Sequence, residues 1–263
     1  MDAPGWLDEL SLEPGPPWHP MGTRSLGAGV WLVADSEREE QLGLKKRLLA
    51  ERRDLVFAAR PGSEVACAEA AEVVCGAATL EEAALAVQED LCVLVRRDGH
   101  WRLDAGVVCV PSMWSIADKA GLPLAAVHGP VPAYAEELAD RVDRFVDRLR
   151  SDRPVWRRNW FVHHSPELHQ PEPPPAPVHP PAVPEGLWLR SERQTLRRLE
   201  SSGAVLFTIK TQQVPLEVLA LRPDVALAMA EAIESWSEEL IVYRSAGPWR
   251  EAVIAWLREV ASS

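Results

Sequence analysis

Residues 187–210 read LWLRSERQTLRRLESSGAVLFTIK, and the conformation of this stretch decides the fold. Arg190, Glu192, Arg193, Gln194, Thr195, Arg197 and Arg198 lie between two apolar segments, 187–189 and 204–209. The second segment is β-branched and aromatic enough for a buried strand. A charge run is most simply a solvated helix face, with 192–200 turned to water. If 187–193 is instead a strand, alternation puts Arg190 and Glu192 on one face and Ser191 and Arg193 on the other. Burying such a set is expensive unless it is paired or faces a ligand.

Period and punctuation organise the rest. Residues 1–35 are rich in Pro, Gly and Trp and read as an arm on a domain surface. Residues 37–59 have helical period, and a second helix over 63–76 ends at Gly76. Thr79 with Glu82 forms a capping box for a third helix over 80–90. The period then changes: 91–95, an Asp98-Gly99 turn and 101–110 read as a β-hairpin. A short helix over 114–120 closes at Gly121, and a longer one is expected over 132–149, with Pro near its start. A strand follows over 155–162. Residues 171–184, PEPPPAPVHPPAVP, hold eight prolines and form an extended connector. Strands near 186–193 and 204–211 come next, then helices over 215–236, broken at Pro223, and over 248–261. Helices, then strands, then helices describe an α+β fold with an antiparallel sheet. Strands on both sides of the connector predict one sheet.

Composition narrows the function. At 263 residues, 47% hydrophobic and 25% charged, the chain is an ordinary globular protein. A net charge of −11 disfavours a nucleic-acid partner. No apolar run is long enough for a membrane span, and no basic-then-apolar leader opens the chain, so a cytoplasmic protein is expected. Cys67, Cys75, Cys92 and Cys109 have neither zinc nor disulfide spacing and are expected as mostly buried thiols. Eleven Trp against four Phe and two Tyr offer broad flat apolar surface, which suits a large planar ligand or plain packing.

No zincin pair, nucleophile elbow, Walker sequence or dinucleotide fingerprint is present. Among seven histidines, His128 stands apart, because the apolar run 124–127 delivers it into the rigid Gly129-Pro130 turn. Such a stiff approach suits an axial haem ligand, and a satisfied structural histidine is the plainer reading. His163 and His164 follow a strand, so one of them faces inward.

Four segments in order resemble the haem-dependent oxidative N-demethylase alpha-subunit family. They are QEDLCVLVRRDGHWRLDAGVVCVPSMWS (88–115), AAVHGPVPAYAEELADRVDRFVDRL (125–149), RPVWRRNWFVHHSPELHQP (153–171) and LWLRSERQTLRRLESSGAVLFTIKT (187–211). The resemblance implies a PAS-like antiparallel sheet with helices packed on one side and helical extensions at both ends. With the Pro-, Gly- and Trp-rich arm taken as 1–36, residues 37–263 are expected to form one PAS-like haem-binding domain with the proline-rich connector at 171–184. The resemblance also implies haem b iron and oxidation of an amine with O2, using electrons from a separate flavin and iron–sulfur reductase. Carried onto this chain, His128 is the iron ligand, and Arg193, Trp160 and Trp114 contact the cofactor. Arg190 meets a propionate or bound oxygen, and Glu192 receives the substrate ammonium. Val162-His163-His164 and Gln212-Gln213 depart from the family's usual acidic and aromatic residues. The alternative is a non-catalytic haem or small-ligand sensor; the absence of a sustained coiled-coil heptad favours the enzyme.

Overall fold

A computed structural model describes residues 2–15, 22–27, 29–129, 139–173 and 179–263. Seven strands make one antiparallel sheet: β1 (Arg24–Ser25), β2 (Phe57–Ala59), β3 (Asp90–Arg97), β4 (His100–Val107), β5 (Val155–His163), β6 (Trp188–Arg198) and β7 (Val205–Pro215). Their order is β1-β5-β6-β7-β3-β4-β2, so strands before and after the proline-rich connector join the same sheet. The α+β class holds. The charge run of 190–198 is strand throughout, and the solvated-helix reading of 192–200 fails. Its register against β5 and β7 explains this: Leu189 pairs with Val162 and Val214, and Leu196 with Val155 and Phe207. Both ends of β6 thus bury apolar side chains, and the polar middle is carried in with them.

Short-range signals positioned several elements. Asp98 and Gly99 both take positive φ, as a two-residue hairpin turn requires. A bulge between Val93 and Leu94 then resets which side chains face which way. The Thr79–Glu82 capping box forms and starts α4 (Leu80–Ala86). Gly76 ends α3 (Glu64–Cys75) in the left-handed region. The expected 37–59 helix breaks into α1 (Arg38–Glu51), α2 (Arg53–Val56) and strand β2, because 57–59 completes the sheet edge beside β4. Of the helix expected over 132–149, α7 (Ala139–Asp147) falls within the described residues.

Helices cover both faces, which corrects the one-sided packing expected from sequence. Here the front face is the one carrying Arg190 and Glu192, and the back face the one carrying Ser191 and Arg193. In front, Cys92, Leu94, Val205 and Ile209 pack on α5 (Ile116–Lys119), α6 (Leu124–Val127) and α7. Behind, Leu91, Val93, Val107 and Leu206 pack on alanines of α3 and α4. The β5–β7 end of the back face packs Trp160, Val162 and Leu189 on α8 (Pro223–Glu234) and α10 (Arg250–Ser262). Both faces of the sheet are covered, and β3 is apolar on both sides over 91–94. Leu7, inside a 3-10 turn at Gly5–Glu9, and Leu10 at its end anchor the arm into that last cluster as a strap. The sequence reading also missed α9 (Glu238–Tyr243), whose single turn-and-a-half carries too few periodic positions.

Candidate functional site

The front face of β5–β7 holds a buried polar row. Arg190 is 1% exposed. Its Nε donates to Ser112 Oγ at 2.9 Å, and its Nη1 to Glu167 O and Gln213 Oε1. Its Nη2 donates to the carbonyls of Val110, Pro111 and Leu168. Every guanidinium N–H is thereby taken. Burial lowers the Arg190 pKa to about 10, with Glu192 opposing the shift, so it stays charged at neutral pH. Arg190 is a clamp that fastens segments 110–112 and 167–168 onto β6. Segment 109–110 is itself held by Asp90, which accepts from Cys109 N at 2.9 Å and Val110 N at 2.7 Å. Burial raises the Asp90 pKa, and Lys45 at 3.6 Å pulls it back down.

From Arg190 the row runs on. Ser112 Oγ donates to Glu192 Oε1 at 2.6 Å, Gln194 Nε2 donates to Glu192 Oε2 at 2.8 Å, and Arg157 Nε donates to Gln194 Oε1 at 2.7 Å. The direction of each bond is forced. A guanidinium can only donate, so Ser112 and the Gln194 carbonyl accept from the two ends and pass their own hydrogens inward. Both sides converge on Glu192 as the acceptor. Glu192 is 5% exposed, opposite Asn159 on β5 and Thr211 on β7. Alternation in 187–193 pointed to Arg190 and Glu192 together, and the continuation of the strand to Arg198 adds Gln194. Register with β5 adds Arg157. Ser112 carried no local signal, since it arrives from 80 residues away.

His128 lies on the same side, at the C-terminal cap of α6. Its Nδ1 lies 2.9 Å from Leu124 O. A carbonyl only accepts, so Nδ1 carries the hydrogen and Nε2 the lone pair, which is the tautomer a metal takes. Burial lowers its pKa to about 4, and the charges of Arg157 and Lys119 push the same way, so the ring is neutral at pH 7. Trp114, partly buried, packs against the front-face cluster. His163, the inward-facing member of its pair, is 3% exposed and has a pKa lowered by burial to about 3. Neither of its ring nitrogens makes a well-formed hydrogen bond among the described residues. No group of three His, Cys, Asp or Glu gathers as a metal set among the described residues. A porphyrin brings its own nitrogens and needs one protein ligand, and the His128 tautomer fits that demand.

Arg193 and Trp160 lie behind the sheet, away from His128. Arg193 donates through Nη1 to Trp31 O at 2.9 Å and through Nη2 to Val30 O at 2.7 Å, and stacks over Trp156. Trp160 donates from Nε1 to Ser11 O at 2.9 Å and packs on Trp236. The two residues therefore cannot meet the same ligand as His128 without crossing the sheet. Arg244, at the end of α9, donates to Trp160 O and stacks on Trp160, Phe161 and Trp236. Cys92 and Cys109 are buried thiols whose pKa values burial pushes up, so neither is a ready nucleophile; Cys75 is exposed.

Residues 76–254 match the family model described as haem-dependent oxidative N-demethylase, alpha subunit-like. The chain belongs to that family. The whole front-face row, His128 and Trp114 fall within the N-demethylase-like region, while the strap and the arm before α1 precede it. Among the described residues, no helix of this N-demethylase-like chain is long and apolar enough to cross a membrane.

Proposed function

We propose that this chain is a haem-dependent oxidase that removes an alkyl group from an amine, binding haem b through His128 on the front face. The observation that carries the reading is the convergent row Arg157–Gln194–Glu192–Ser112–Arg190 on the same side of the sheet as a neutral, tautomer-fixed His128. Bound haem would supply the oxygen and one-electron chemistry. The chain supplies placement. Glu192 is the one carboxylate in the row, and each of its oxygens keeps a lone pair beyond those used by Ser112 and Gln194. A substrate ammonium seated there is oriented by a group that cannot swing, which is the positional advantage an oxidation at the adjacent carbon needs. Glu192 is itself buried, which limits competition from water. Arg190, with all its donors engaged, fixes the Ser112 segment in place and has no donor left for substrate or cofactor. O2 is the co-substrate, and the electrons come from a separate flavin and iron–sulfur reductase.

The test is the absorption spectrum of the purified full chain with added haem, oxidised and dithionite-reduced. A Soret band is expected that moves on adding a secondary amine such as dimethylamine. His128→Ala should abolish or strongly shift the band. Glu192→Gln should keep the band and weaken the amine response. An unchanged spectrum in His128→Ala overturns the ligand, and an unchanged amine response in Glu192→Gln overturns the amine seat.

A further inference from the structure

Register places three cations in one line across the back face: Arg158 on β5 pairs with Arg193 on β6, and Arg193 with Lys210 on β7. Like charges directly opposite one another destabilise a sheet unless anions separate them. The two outer members have theirs. Glu9 from the strap pairs with Arg158 at 2.6 Å, and Asp35 pairs with Lys210 at 3.1 Å. Gln212 ties these flanks together, accepting from Arg158 Nη1 at 3.0 Å and donating to Asp35 at 2.9 Å. The middle member has no carboxylate within ion-pair distance among the described residues. Arg193 spends Nη1 and Nη2 on two backbone carbonyls, each with a second hydrogen, and its Nε has no acceptor among the described residues.

Arg193 also faces space. A cavity of about 400 Å³ lies between the strap and segment 33–37, floored by Arg158, Arg193 and Gln212 and walled by Trp6. That volume is in the range of small-molecule sites. The Trp6 ring, 5.5 Å from the Arg158 guanidinium carbon, gives it one flat aromatic wall. Glu37 at the rim is exposed, so solvent screens its charge.

We propose that this cavity is a second ligand site, distinct from the front-face site, and that it takes a small planar monocarboxylate whose anion sits on Arg193 beside the Trp6 wall. Among the described residues, Arg193 is the one member of the row without a carboxylate at ion-pair distance, which suits a monoanion; a phosphate dianion would meet repulsion from Glu9, Asp35 and buried Glu89, which also acts on Arg193. Guanidinium donors match a carboxylate in geometry as well as charge. The sheet lies between this site and His128, and Trp6, Glu9 and Asp35 all precede the family-matched region. The site thus belongs to this chain's own arm.

The test is calorimetric titration of the full chain with benzoate, with benzamide as the neutral isostere and inorganic phosphate as the competitor. Benzoate should bind and benzamide should not. Arg193→Gln should remove the benzoate signal, while Glu9→Gln, which frees the Arg158 fork and removes a repelling carboxylate, should tighten it by about fivefold or more. Glu192→Gln, across the sheet, should leave the isotherm unchanged. Thermal melts check that each variant folds; if Arg193→Gln does not, Arg193→Lys keeps the charge without the fork and should weaken benzoate markedly. Absence of benzoate binding in both wild type and Glu9→Gln, equal binding of benzamide, tighter binding of phosphate, or loss of benzoate binding in Glu192→Gln would each overturn the proposal.

Discussion

Replacing Glu192 with Gln tests the convergent row without any cofactor. In the wild type two donors, Ser112 Oγ and Gln194 Nε2, point at one carboxylate. The amide keeps the shape, but it offers one oxygen and one NH2 to two groups that both donate. Changing two charge-assisted hydrogen bonds to neutral ones loses about 1 kcal/mol each. The misdirected donor adds roughly 1 kcal/mol more, since the NH2 must face either Gln194 or Ser112 and one hydrogen loses its acceptor. Arg190 also loses the buried counter-charge that holds its pKa up. The unfolding free energy should therefore fall by about 3 kcal/mol, read by urea denaturation at pH 7 with an unchanged m-value. Ser112→Ala alone should lose about 1.5 kcal/mol, and the double variant should show a coupling of about 1 kcal/mol, because both changes remove the same bond. A loss below about 0.5 kcal/mol in Glu192→Gln, the range of an ordinary surface substitution, would refute the reading of a forced, buried acceptor.

Further outcomes follow from other buried groups. The folded pKa of His163, about 3, lies below the 6.5 of an exposed imidazole, so the folded chain binds fewer protons between those values. Its contribution is complete above pH 6.5 and is lost as pH falls toward 3; in denaturation at stepped pH, His163→Gln should flatten the acid limb by up to about 1.4 kcal/mol per pH unit. Asp35→Asn leaves fully buried Lys210 without its anion and should destabilise by about 3 kcal/mol. Lys210→Met should do less harm, because Asp35 is partly exposed and keeps donors from Gln88 and Gln212, and the two chemical melts compare directly. Thr79→Ala removes one half of the α4 capping box and should lower stability by about 1 kcal/mol in the same assay.

What was legible in the sequence was what short-range chemistry encodes. The Asp98-Gly99 turn, the Gly76 stop and the Thr79 cap all rest on groups within a few residues of each other. Alternation in 190–193 likewise separated Arg190 and Glu192 from Ser191 and Arg193. It could not say which face held which ligand, so Arg193 was expected beside His128 and lies behind the sheet instead. Ser112 and Arg157 reach Glu192 and Gln194 only through tertiary approach and strand register. The Arg158–Arg193–Lys210 line is invisible until three separate strands are laid side by side. Two-sided helical cover was missed because 91–95 is an unbroken apolar run with no alternation to read sidedness from, and the register shift opposite Val93/Leu94 sends Leu103 and Ala105 of β4 to opposite faces.

The fixed polarity of the front-face row has a consequence for proton traffic. A Grotthuss wire works by letting each member both accept and donate, so that the whole file can reverse. Here the two termini are guanidiniums, which have no lone pair to accept with, and every arrow ends at Glu192. The file cannot turn over. Any proton that reaches or leaves the neighbourhood of Glu192 must travel through another opening, and the row insulates the carboxylate sideways along the sheet.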